Sequence, residues 1–198
     1  MTTTPPPEIA DEHPAAAAAR LASVEGTDAA LRLDGSVMPP HVHFFFDDRE
    51  EPYGGHIRSR PYQRGEDAAE AVARLGLLPS VLRADRILVV WEHCDLHVAL
   101  EAPEAHSFPF AVMSVEATPS TELTIGHAFE LDFAPGTPME PFTPTIPQWG
   151  SPKVQTRYRL PAPITRLIEL WLEPRAGDPE ETMDALQEEG YRIALAVA

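Results

Sequence analysis

The stretch PPHVHFFFDD, residues 39–48, places His41 and His43 two apart, ahead of three phenylalanines and the pair Asp47–Asp48. Histidines at i and i+2 of a strand point the same way, a geometry that suits two ligands of one metal ion. A second group, WEHCDLH at 91–97, holds Glu92, His93, Cys94 and His97. If 93–97 is helical, His93 and His97 share a face and can grip a metal, with Glu92 as general base. If the segment is the turn of a hairpin, the pair separates. Cys94 beside His93 raises thiolate–imidazole chemistry, while a lone buried cysteine ordinarily packs as a small hydrophobe. The candidates are therefore Glu92 and Cys94 for catalysis and His41, His43, His93 and His97 for metal; the cofactor is unknown.

The spacing Gly35, five residues, His41-x-His43, four residues, Asp48, six residues, Gly55 is similar to the first signature of the cupin family. That resemblance implies a metal held by the two histidines and an acid inside a β-barrel. Asp48 stands where the family has Glu, and no second signature follows. VMPPHVHF also resembles the opening of amidohydrolases, whose barrel needs a longer chain.

These residues need elements to hold them. In 41–46, Val42, Phe44 and Phe46 fall on one face of a strand and His41, His43 and Phe45 on the other. With the phenylalanines in the core, the two imidazoles are expected half-exposed on the solvent side, where replacing them costs little. DDREEPYGG reads as a turn and HIRSRPY as a return strand near a sheet edge, because Pro61 cannot donate to a ladder. EDAAEAVARLG predicts a helix stopped by Gly76, and LLPSVLR one more turn. RILVVWEH, apolar on both faces, is the expected central strand. FPFAVMSVEA and TELTIGHAFELDF read as a hairpin, with His127 on the apolar side as a hydrogen-bonded core histidine. ITRLIELWLEP reads as strand slightly more than helix, and 94–100 is open between the two. Asp178, Pro179 and Glu181 open a capped helix that ends at Gly190. YRIALAV then predicts a last strand buried in the sheet, so that 164–198 would form a β-α-β unit.

The resulting expectation is an α+β fold: one domain over 36–198 with a mixed, largely antiparallel sheet and two or three helices, preceded by a flexible tail over 1–35. Residues 135–152 are expected to cross the domain as a stiff loop. Its prolines at 135, 138, 141, 144 and 147 recur every third residue, the period of a polyproline II helix.

Charge narrows the partners. The chain has 31 acidic and 15 basic residues, a net charge of −16. Residues 101–150 hold seven carboxylates and no Lys or Arg. Such a surface argues against nucleic acid and anionic membranes, both of which are bound through cations. It suits a protein partner with a basic surface. Cys94 is the lone cysteine, no apolar run reaches the roughly 20 residues of a membrane span, and the N-terminus lacks a secretory pattern; a cytoplasmic protein is expected. No GxGxxG, P-loop, GxSxG or zinc-type cysteine motif occurs. The sequence thus favours a non-enzymatic binding or interaction module, with a metal-dependent hydrolase-like enzyme built on the histidine groups as the alternative.

Overall fold

The computed structural model describes residues 9, 11–102, 109–131 and 146–196. Its centre is one sheet in the order β6-β5-β4-β3-β1-β2-β8, with the two-residue β7 pairing β5. The strands are β1 (His41–Phe45), β2 (Tyr53–Arg58), β3 (Arg86–Glu92), β4 (Ala111–Ala117), β5 (Glu122–Leu131), β6 (Pro147–Trp149), β7 (Lys153–Val154) and β8 (Arg192–Leu195). Every pairing among the described residues is antiparallel, so the expected mixed sheet is antiparallel throughout. β3 lies at its centre, as its apolar run predicts. The sheet is open, not the barrel that the cupin resemblance implies, and Asp48 sits in the exposed turn after β1.

Helices cover both faces, more of them than the two or three expected. α2 (Glu66–Ala73), a 3-10 turn (Arg74–Gly76), α3 (Leu77–Val81) and α5 (Ala162–Leu172) pack on one face. There Val72, Leu75, Leu78, Ile164, Leu167 and Trp171 close over Val42, Phe44, Ile57, Val89 and Trp91. α5 occupies the segment expected as a strand. Its apolar residues Ile164, Leu167, Ile168 and Trp171 recur at helical spacing, which outweighs the β-branching of the two isoleucines. The β-α-β unit is therefore absent; α6 (Pro179–Glu188) leads directly into β8. The cap of α6 is as read: Asp178 accepts from the amides of Glu180 and Glu181 at 2.7 and 3.3 Å.

The other face is covered by α1 (Pro14–Asp34), where a tail was expected. Pro14 opens this helix and Gly35, at φ 75°, closes it by donating to the Leu31 carbonyl. Its buried stripe is Ala16, Ala19, Arg20, Ser23, Val24, Thr27 and Leu31. Small side chains let the helix lie close on Phe45, Leu88, Val90, Val112 and Phe129. Ion pairs fix its start. Arg20 and Glu12 meet through two hydrogen bonds of 2.6 and 2.8 Å, both side chains buried. The His13 amide donates to Glu116, which also pairs with Arg86.

Three further expectations change. YGG is strand, not turn: a Cβ on Gly54 would lie 2.3 Å from the Phe46 ring, so glycine here makes room for the aromatic core. Gly76 is not a left-handed stop; a Cβ there would meet the Leu167 carbonyl at 2.2 Å, and its role is the close approach of α5. β8 is an edge strand, with Tyr191 just before it buried but Leu195 47 % exposed. Of the predicted crossing loop, 147–149 form β6, and the prolines at 135–144 lie outside the described residues. No helix among the described residues is long and apolar enough to cross a membrane.

Candidate functional site

His41 and His43 point from β1 toward α1 and are buried, at 2 % and 8 % exposure, not half-exposed as expected. Pairing in register sets His43 opposite His56 and His41 opposite Arg58 on β2. The Ser23 hydroxyl descends from α1 between the two imidazoles, 2.9 Å from His41 Nε2 and 3.1 Å from His43 Nε2. His41 Nδ1 lies 2.8 Å from the Pro39 carbonyl. The Tyr53 hydroxyl lies 3.2 Å from His43 Nδ1 and 3.0 Å from His56 Nδ1.

Proton positions are assigned outward from the Pro39 carbonyl. Pro39 offers only a carbonyl, so His41 Nδ1–H donates to it. With His41 neutral, its Nε2 then accepts from Ser23 O–H. His43 Nε2–H donates to Ser23 Oγ, His43 Nδ1 accepts from Tyr53 O–H, and His56 Nδ1–H donates to the Tyr53 oxygen. His41 and His43 thereby have a partner at each nitrogen without carrying charge, and His56 has one at Nδ1. Burial holds His41 down to about 4 and His43 to about 2, with Arg58 and the neighbouring imidazoles adding to it, and it lowers His56 as well. The Ser23 hydroxyl also lies 2.9 Å from the Ala19 carbonyl, which competes for its single proton. The serine–imidazole contact resembles a nucleophile and its base, but Ser23 is buried, at 4 % exposure.

The 91–97 group is divided between the two faces of the sheet. Glu92 lies on the α1 side, where its carboxylate accepts from the amides of Asp95 at 2.5 Å and Ala111 at 3.1 Å. It caps α4 (His93–Ala99) and ties β4 to it, which occupies the oxygens a general base would need. Burial raises its pKa, and the backbone donors pull it back. α4 decides the open choice over 94–100 for helix. His93 and His97 do share a face, with ring centroids 4.5 Å apart. His97 Nδ1–H donates to the His93 carbonyl at 2.7 Å, and His93 Nδ1 meets the Tyr158 hydroxyl at 3.0 Å. Burial, then His97, holds His93 down to about 4. Cys94 is half-buried, and burial, Glu92 and Asp95 all push its thiol up, against thiolate formation. The two histidine pairs do not converge. Among the described residues no three His, Cys, Asp or Glu side chains are arranged to hold a metal. His127 donates to the Gly150 carbonyl at 2.7 Å, beside Trp149.

What the fold does build is a cavity of about 760 Å³ at one end of the sheet, beneath the last turn of α1. Leu31, Val37, Val98, Phe110, Phe129 and Leu131 give it an apolar body. Arg58, Arg60 and Arg192 enter from β2, the loop after it and β8, and Glu92, Cys94 and Asp95 from the turn into α4. Arg60 is committed to Asp67 at 2.5 Å. Arg58 is half-buried, and its Nε is buried with no hydrogen-bond partner. Burial raises Asp95, and it pushes Tyr62, at the same wall, up to about 12. A smaller cavity of about 240 Å³ on the opposite face is lined by His93, Met113 and Tyr158.

Sequence reasoning named Glu92 and Cys94 but missed Ser23, Tyr53, His56, Arg58 and Arg192. The alternation of His41 and His43 with His56 and Arg58 across one hairpin carried the signal for two of them. No family model, curated protein or solved structure matches this chain.

Proposed function

We propose that the protein is a binding module that takes a small amphipathic molecule into the cavity between the end of α1 and the sheet. The observation that carries this reading is the cavity itself. Its volume of about 760 Å³ lies within the range usual for ligand pockets, roughly 300–1,000 Å³. Its composition, an apolar body with a few charged groups, is that of a small-molecule site. The alternative, a metal-dependent hydrolase, would need His41, His43, Glu92, His93 and His97 at one centre, and they occupy three separate surroundings. The reading of a basic protein partner rests on residues 101–150, of which 103–108 and 132–145 lie outside the described residues.

The test is titration with the neutral fluorophore N-phenylnaphthylamine, which brightens in apolar surroundings. The native chain is expected to bind it. Val98→Trp, which fills the cavity from α4, is expected to weaken binding at least tenfold with the melting temperature kept. Absent binding, or binding indifferent to Val98→Trp, would remove the cavity from consideration.

A further inference from the structure

Resting on that reading of the cavity, we infer that its ligand is an organic monoanion, a carboxylate with an apolar tail, whose headgroup lies between Arg58 and Arg192. These two residues are directly opposed in the β2–β8 ladder, so their side chains leave the same face side by side. Like charges opposed across strands destabilise a sheet. Neither arginine has an ion pair among the described residues, in a chain with 31 acidic side chains to offer. The third arginine at this wall shows the contrast: Arg60 is held by Asp67. Arg58 moreover buries its Nε without a partner, a donor left open in a site from which water is partly excluded. A bound anion satisfies that donor and separates the two guanidinium groups. Arginine's planar fork matches a carboxylate through two parallel hydrogen bonds.

The remaining walls select the rest of the molecule. Phe110, Phe129 and Leu131 line the same cavity from the β4–β5 side and suit an alkyl or aryl tail. Glu92 and Asp95 also line the cavity, and their carboxyl groups disfavour a second negative charge on the ligand. Glu92 needs no cation from it, because backbone amides already serve its oxygens.

Displacement of bound N-phenylnaphthylamine from the full chain by decanoate, decanol and decyl phosphate tests this assignment. Decanoate is expected to displace the probe at a concentration at least tenfold below that of decanol. Arg58→Gln should abolish that preference and Arg192→Gln reduce it, both leaving decanol unchanged. Arg192 is exposed, so its variant folds and keeps the test decisive if the Arg58 variant does not. Equal potency of decanoate and decanol would overturn the anion assignment while leaving the cavity reading intact. Stronger displacement by decyl phosphate would overturn the monoanion. Failure of the native chain to bind the probe or any of the three would overturn both.

Discussion

Ser23 concentrates the polar chemistry of the α1 side. One hydroxyl serves two buried imidazoles, and each of them reaches a second partner only through its other nitrogen. Removing the hydroxyl strands Nε2 of both His41 and His43 away from water. Leaving a buried donor or acceptor unsatisfied costs about 1–3 kcal/mol. Ser23→Ala is therefore expected to destabilise by about 2 kcal/mol or more in urea unfolding. Thr27→Ala, four residues on and equally buried, is the comparison: its hydroxyl bonds only the Ser23 carbonyl at 3.0 Å, which already serves the helix. Its loss should cost under about 1 kcal/mol. Equal costs for the two variants would show that the imidazoles do not depend on Ser23. The ground for expecting His41 and His43 to be cheap to replace is removed as well: they face a helix, not solvent.

At the scale of elements, α1 is where sequence reading and structure part most. Its stripe reads Ala, Ala, Arg, Ser, Val, Thr, Leu, and only Val24 and Leu31 are large and apolar. A stripe so polar signals a weak amphipathic helix, because pattern arguments credit apolar groups and not polar ones with buried partners. Glu12 reaches Arg20 from just ahead of the helix, and the two histidines that serve Ser23 become visible only when β1 lies underneath. By contrast β3, the β4–β5 hairpin, α2 and α6 were legible, since unbroken apolar runs, alternation and a capping Asp act within one segment. α5 was misread on short-range grounds, and the strand after α6 was read as buried although it pairs on one side only. The cavity was not legible, because its arginines meet across a register between residues 58 and 192. These facts give α1 a consequence opposite to that of a tail. A chain beginning at Ser36 would expose Phe45, Leu88, Val90, Val112 and Phe129, each worth roughly 1.5–3 kcal/mol when fully buried. The shortened chain is expected to aggregate or to melt without cooperativity. A soluble product with a sharp thermal transition would show that α1 is not part of the folded unit.

For the whole molecule, two electrostatic effects act in opposite directions as pH falls. The chain carries a net charge of −16 with an isoelectric point near 4.8, so acidification from neutrality relieves self-repulsion and favours the compact state. The buried and half-buried histidines work the other way. Their folded pKa values lie below the ordinary 6.5, at about 4 for His41 and His93, about 2 for His43, and lowered also for His56 and His127. The unfolded chain therefore takes up protons first as pH drops through 6.5. Their contribution to stability is complete above that value and is lost progressively below it. Glu92 and Asp95, both raised by burial, act in the opposite sense. His41, His43 and His93, which stay neutral in the folded chain through this range, give a net loss of stability between about pH 6.5 and 5, at about 1.4 kcal/mol per pH unit for each proton taken up in excess by the unfolded chain. Salt separates the two effects. About 0.5 M sodium chloride screens surface repulsion over distances of a few ångströms and leaves buried desolvation nearly untouched. Urea unfolding at about pH 7.5, 6 and 5 should thus show an acid-side loss that becomes steeper in high salt, where the opposing relief of repulsion is gone. A stability that stays level or rises toward pH 5 in high salt would mean that the imidazoles beneath α1 reach water in the folded state, and that the closed network around Ser23 is not the resting arrangement.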